Sequence, residues 1–181
     1  MSESVTGLTQ LATLINQYRQ DNGLPEVPIS GDLMAVALAH VMDLNANQPH
    51  TSCGAGGNMH SWSDNPNWNG TTGDGAWKGC CYPSDHSNAA CMWDKPKEIT
   101  GYSSNGHEVA HWSSGTPTPQ SALSSWKAST AHNAVILNQA IWANQQWNAL
   151  GAAVGGHYAC AWFGTTSSRV RATGTRRPGV L

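Results

Sequence analysis

Residues 45 to 105 carry almost no hydrophobic periodicity, yet they hold four of the chain's five cysteines. The stretch is rich in Asn, Gly, Ser and Trp, as in WSDNPNWNGTTGDGAWKGCCYPSDHSNAACMWDKP. An ordered loop this long needs a function or a covalent tie to keep one shape, and disulfides are the expected tie. Five cysteines allow two bridges and one remaining thiol. The favoured pairing joins Cys81 to Cys91 and Cys53 to Cys80, leaving Cys160 on an apolar strand, although other connectivities stay open. Zinc is a poor alternative for these cysteines because no C-x-x-C pair is present.

The flanks read as ordinary secondary structure. Leu8, Leu11, Leu14, Ile15 and Tyr18 recur at helical spacing, and the segment DNGLP stops that helix, with Gly23 as a left-handed cap and Pro25 beyond it. Ser30 caps a second helix whose Leu33, Val36, Ala37, Val41 and Leu44 share a face and which ends near NANQPH. His40 lies on that same face and reads as a satisfied core residue. Residues 108 to 113 suit a short strand, and Thr118 and Pro119 suit the cap and first position of another helix, with Ala122, Leu123 and Trp126 inward. WNALGAAVGGHYACAWFG reads as two strands around Gly155 and Gly156, with small residues where another layer must come close. This order implies an α+β fold, a three-layer α-β-α sandwich with an antiparallel sheet.

At 181 residues the chain suits one domain. Charged residues are 11 % of it, against roughly 25 % in an average soluble protein. The low charge and the cysteines together point to an oxidising, extracellular setting. The opening MSESVTGLTQ lacks the basic start and apolar core of a secretory signal, so a mature fragment or another export route is expected. No apolar run approaches the roughly 20 residues of a membrane span. Four of the five arginines (Arg169, Arg171, Arg176, Arg177) lie in the last 13 residues; without them 5 basic residues face 11 acidic ones, a net −6. No basic stripe for nucleic acid is present in the body of the chain, and the arginine tail reads as a solvated end.

Two sequence patterns suggest metals. Asn65, Asn67, Asn69 and Gly70 alternate like a calcium loop, but the first ligand is not Asp and the twelfth position is Ala76 instead of Glu. Asn69-Gly70-Thr71 is also a glycosylation sequon. His107-Glu108-Val109-Ala110-His111 spells H-E-x-x-H, which binds zinc when its histidines share a helix face and the Glu activates the metal-bound water. Glycines before it and Ser-Ser-Gly then Pro after it leave hardly two turns for such a helix. No Asp or Glu follows Glu108 to serve as a third ligand, though His132 could in principle do so.

Read outward from Glu108, the chain resembles the CAP superfamily of cysteine-rich secretory, antigen 5 and pathogenesis-related proteins, in its bacterial SCP-like form. LATLINQYRQDNGLPEVPISGDLMAVALAH resembles the family's opening, with its N-x-x-R-x-x-x-G-L/V-P helix end. MHSWSD is similar to its His-Ser segment, GHEVAHWSSG to a variant of its G-E-N-L/I segment, and ALSSWKASTAHNAVILN to the W-x-x-S-x-x-H-R-x-N-I-L segment of bacterial members. The resemblance implies a CAP-like domain over 8–164, with an insertion at about 62–105, a short extension at 1–7 and a basic tail at 165–181. It further implies that His60, Glu108 and His132 converge in a central cleft, with His60 and His132 holding a divalent metal, Zn2+ being the preferred candidate. His132 is favoured over His157 by its place in the order, and His60 over His50 by the adjacent serine. The family's Glu after the Trp is replaced by Ser129.

The resulting expectation is a secreted module whose cleft binds a metal and a small-molecule, glycan or protein ligand. The alternatives are a metal-dependent hydrolase with Glu108 as general base, an H-E-x-x-H peptidase using His107 and His111, and an interaction module of an extracellular assembly without catalysis. Trp62, Trp68, Trp77 and Trp93 are expected to form the loop's own small core, with a sugar-stacking rim as the second reading.

Overall fold

The computed structural model describes residues 3–54, 56–65 and 75–168. Most of the calcium-like register, the sequon, Trp68 and the arginine tail lie outside the described residues. Helices α1 (Glu3–Asp21) and α2 (Gly31–Asn47) open the chain. Two short helices follow in the cysteine-rich stretch, α3 (Ala90–Trp93) and α4 (Lys95–Thr100). Strand β1 (Gly106–Trp112), helices α5 (Pro119–Ala128) and α6 (Thr130–Ile136), and strands β2 (Ala149–Gly155) and β3 (Tyr158–Gly164) complete the order.

The three strands form an antiparallel sheet in the order β1-β3-β2, so β1 is an outer strand. Alternation along each strand sends neighbouring residues to opposite faces. Val109, Leu150, Ala152, Ala159, Ala161 and Phe163 pack with α1, α5 and α6 on one side. Ala110, Ala149, Ala153, Tyr158, Cys160 and Trp162 pack with α2 and the cysteine-rich segment on the other. The sheet is thus the middle layer of an α+β sandwich, as its segment order implied.

The local signals act as read. The Ser30 hydroxyl accepts from Leu33 N at 3.1 Å, an N-cap worth about 1 kcal/mol. Gly23 adopts φ +73 after α1, and Thr118 and Ser121 form a reciprocal capping box ahead of α5. α2 lies so close on the sheet that a Cβ at Gly151 would stand 2.1 Å from the carbonyl carbon of Leu33, which explains the small residue there. Asn16 and Arg19 fix the end of α1. Asn16 exchanges two bonds with the Val27 backbone, at 2.9 and 2.8 Å, while the Arg19 guanidinium donates to the Ile136 carbonyl at 2.5 Å and to Asn138 at 2.7 Å. The arginine therefore anchors the C-terminus of α6, the helix that carries His132.

The disulfides differ from the expected pairing. Cys53 is bridged to Cys81 and Cys80 to Cys91, with Cα–Cα distances of 5.5 and 5.6 Å. The cause is local. Cys80 exchanges two backbone bonds with Trp62, at 2.9 and 3.0 Å, so this stretch is extended and the adjacent cysteines point opposite ways. Cys80 faces Cys91 on α3, and Cys81 faces Cys53 at the end of the 3-10 turn Pro49–Ser52. Cys160 is free and buried, as expected.

Candidate functional site

β1 places Glu108 on the face that looks toward α2, where its side chain is fully buried. A carboxylate there needs partners on both oxygens. It has them. Oε1 lies 2.5 Å from His40 Nδ1, and Oε2 lies 2.6 Å from His60 Nδ1. The Glu108 backbone N–H points to the outer edge of β1, where the Met92 sulfur of α3 accepts it at 3.2 Å.

The two histidines arrive from different elements. His40 comes from the buried face of α2, with its other nitrogen, Nε2, 3.1 Å from the Ser61 carbonyl and the Trp62 ring stacked on it at 4.0 Å. His60 sits in a turn in which its own N–H reaches the Asn58 side chain at 3.0 Å and Ser61 N reaches the Asn58 carbonyl at 3.0 Å. The Ser61 hydroxyl accepts from Tyr82 N at 2.9 Å, and the Tyr82 ring meets His60 edge-on at 5.1 Å. The Cys80–Cys91 bridge closes this layer against α3. Burial pushes the Glu108 carboxyl up, but the charge and hydrogen bond of His40 and the bonds from His60 outweigh it and pull its pKa down to about 2.

His132 stands in the first turn of α6, half-buried, with its backbone N–H 3.4 Å from the Ser129 hydroxyl. Burial lowers its pKa, as do the charges of His60 and His111, while Glu108 opposes them. It therefore lies within electrostatic reach of all three, and it makes no direct bond to them among the described residues. Only the Nδ1 of His60 is engaged there, and that side chain is 14 % exposed.

The other histidines are elsewhere. His50 meets Tyr158 edge-on at 6.4 Å, and its Nδ1 is buried without a partner. His157 is exposed and shares its Nδ1 between the Ser113 and Gly115 carbonyls at 3.1 Å each. His86 is bonded to the Tyr82 hydroxyl at 2.9 Å. The H-E-x-x-H segment is a strand, not a helix, so His107 and His111 stand roughly 13 Å apart along it and cannot share an ion. His107 lies on the face opposite Glu108, among Trp93, Trp142 and Trp147 at ring distances of 6.2, 5.0 and 5.4 Å. Burial there pulls its pKa to about 4. His111 is near enough to His132 to act on its charge; β1 is an outer strand, so groups from both faces stay close at its free edge.

His40 is a satisfied core residue, as read, but its partner was not foreseen. A lone imidazole on an apolar helix face reads as core, and the signal that would have found it, a buried carboxylate opposite, lies 68 residues away. The tryptophans divide. Trp62 is buried and meets Trp77 edge-on at 5.4 Å, forming the expected loop core, whereas Trp93 is 39 % exposed.

Among the described residues, one group of donors could hold a metal. His40, Glu108 and Cys160 offer ligand atoms within 4.8 Å of one another, all buried. His40 Nδ1 and Glu108 Oε1, 2.5 Å apart, are already engaged with each other, and burial, followed by the Glu108 charge, holds the Cys160 thiol well above its usual range. His60 and His132 are half-buried and lie nearer the surface than this group.

Residues 12–144 match the model of CAP, the cysteine-rich secretory protein family. Among solved structures the chain is similar to a cysteine-rich secretory protein of Staphylococcus aureus, with a TM-score of 0.54 and 14 % identity over 92 % of this chain and 40 % of that one. It is also similar to an extracellular protein of Bacillus anthracis containing an SCP domain (TM-score 0.53, 18 % identity, 87 % of this chain, 40 % of that one). An outer surface protein of Borrelia burgdorferi gives a TM-score of 0.51 at 12 % identity, covering 86 % of this chain and 89 % of that one. These likenesses are of fold, and the chain spans 40 % of the length of the first two. No curated protein matches the chain.

Proposed function

The chain belongs to the CAP, or cysteine-rich secretory protein, family, and we propose that it works outside the cell as a binding module whose cleft holds a divalent ion through His60 and His132, zinc being preferred. The observation that carries this reading is the bond from His60 Nδ1 to Glu108 Oε2 at 2.6 Å. A carboxylate on Nδ1 leaves Nε2 as the ligating nitrogen and raises its basicity, the usual support of a metal-binding histidine. Both Glu108 oxygens are taken by imidazoles, so its part is to orient His60 and not to take a proton from water. When bound, the ion would supply a Lewis-acidic point at which a carbonyl, carboxylate or hydroxyl of a small molecule, glycan or protein is held.

Export is supported by the two disulfides and by the extracellular and surface descriptions of the similar structures. No helix among the described residues is long and apolar enough to cross a membrane.

Calorimetric zinc titration of the oxidised protein tests the reading. Binding that survives His107→Ala/His111→Ala but disappears in His60→Ala/His132→Ala supports it. The converse pattern, or no zinc binding by the wild type, rejects it.

A further inference from the structure

Trp77, Trp126 and Trp147 each donate their indole N–H to a backbone carbonyl, of Ser63, Ala110 and Val135, at 2.9, 3.1 and 2.8 Å. These rings serve the fold. The indoles of Trp93 and Trp142 donate to nothing among the described residues, and, unlike Trp62 and Trp162, whose unpaired N–H groups are buried, they stand at the surface. Trp93, on α3, is 39 % exposed, and Trp142, at the end of the 3-10 turn Ala140–Trp142, is half-buried.

His107 lies between them. Its ring centroid is 6.2 Å from Trp93 and 5.0 Å from Trp142, with Trp147 at 5.4 Å. Its Nδ1 is buried without a partner, and its Nε2 makes no hydrogen bond among the described residues. Ala140 holds φ +51, a left-handed conformation that its Cβ disfavours. Strain of this kind collects where a turn has to present particular side chains, and here it presents Trp142 and the 84 % exposed Ile141. The charges that follow Trp93 cancel, because Lys97 is paired with Asp94 at 2.7 Å. Beyond Trp142 the exposed polar groups are the neutral amides of Asn144, Gln145 and Gln146.

We propose that Trp93, His107 and Trp142 form a carbohydrate-binding subsite at the free edge of β1, which takes β-1,4-linked pyranose rings of a neutral polysaccharide. An indole face carries negative charge density, so it attracts the C–H groups on the flat side of an equatorially substituted sugar. The sugar hydroxyls supply the partners that the ring nitrogens lack, in the usual pattern of a few polar groups among aromatic walls. A purely apolar partner would leave those nitrogens unpaired, and with Asp94 and Lys97 paired no net charge favours an anionic polymer. Two indoles on either side of one imidazole suit an extended chain that touches both, which the β-1,4 linkage provides.

This inference narrows the ligand of the module proposed above and rests on that reading only in taking the chain to be a binding module; no ion takes part. The test is calorimetric titration of the metal-free, oxidised chain with chitohexaose, cellohexaose and, as the α-1,4-linked control, maltohexaose. One or both β-1,4 hexamers are expected to bind, and the first two arms tell an N-acetylglucosamine chain from a glucose chain. Trp93→Ala should weaken binding by roughly tenfold, and Trp93→Ala/Trp142→Ala should abolish it. Trp112→Ala, which removes an exposed tryptophan outside the cluster, and His60→Ala/His132→Ala should leave it unchanged. Should the double tryptophan variant fail to fold, the 1H–15N spectrum of the wild type decides: the indole signals of Trp93 and Trp142 are expected to move on titration while those of Trp77, Trp126 and Trp147 stay. No binding of either β-1,4 hexamer, preference for maltohexaose, or binding indifferent to Trp93→Ala overturns the proposal. Self-association lost in Trp93→Ala, without sugar binding, also overturns it and assigns the patch to protein contact. Sugar binding in a chain that takes up no zinc upholds this subsite and removes the metal reading alone.

Discussion

Glu108 and His60, 48 residues apart in sequence, are joined by a 2.6 Å bond between Oε2 and Nδ1 inside the buried layer between the sheet and α2. The bond links a strand that belongs to the core with a loop held by disulfides, so the site's geometry depends on both.

Glu108→Gln tests how much of the fold rests on this carboxylate. An amide presents one acceptor and one donor where the carboxylate offers two acceptors to His40 and His60, so one of the two bonds is lost. Removing one member of a buried pair costs roughly 3–5 kcal/mol, which denaturant unfolding should register. A loss below about 1 kcal/mol would show the pair to be no stronger than a surface contact.

Two buried groups predict separate windows of acid sensitivity. His107, with its folded pKa drawn to about 4 from an ordinary 6.5, binds protons less readily folded than unfolded, so stability falls as pH drops from 6.5 toward 4. Glu108 is also depressed, from 4.5 to about 2; its contribution is whole above 4.5 and is lost as pH falls through 2. Each amounts to a few kcal/mol. Unfolding free energy measured across pH should lose the upper slope in His107→Phe, with the lower slope intact. An upper slope unchanged in that variant would place its origin in another histidine.

The bridges make a prediction about connectivity and one about function. Partial reduction with cyanylation and mass mapping should return Cys53–Cys81 and Cys80–Cys91. By loop-closure entropy the two contribute on the order of 3–4 kcal/mol each. The Cys80–Cys91 bridge pins the layer in which His60 and Met92 meet Glu108, so Cys80→Ala/Cys91→Ala should weaken zinc binding more than Cys53→Ala/Cys81→Ala. Equal effects would mean that the bridges act only through overall stability.

Gly151→Ala should destabilise by about 1–3 kcal/mol, because its Cβ would stand 2.1 Å from the backbone of Leu33 and α2 would have to move. Since α2 also carries His40, the same variant should shift the histidine side-chain resonances in the 1H–15N NMR spectrum. A stable variant with an unshifted spectrum would contradict the close approach of these layers.

Much of this was legible because it is local. The apolar spacing of α1 and α2, the caps at Ser30 and Thr118 and the strand pair around Gly155 each need only a few neighbouring residues to be recognised. α3 and α4 have four and six residues, too few turns to show a period. The cysteine pairing turns on the extended contact of Cys80 with Trp62, which no spacing rule reveals. Motif order put His60 and Glu108 in one cleft, and the two are bonded, whereas the contact of Glu108 with His40 could not be read, because it depends on a partner brought in by the sheet. The H-E-x-x-H letters did not mislead, because the glycines before them and the Ser-Ser-Gly and Pro after them already argued for a strand, and the segment is one.

X-ray absorption at the zinc edge of the loaded, oxidised protein tests the central claim most directly. The account predicts a first shell of nitrogen and oxygen only, with the outer-shell scattering of two imidazoles, lost in His60→Ala/His132→Ala. A sulfur scatterer in the first shell would put the ion on Cys160 in the buried His40–Glu108 group and contradict the account.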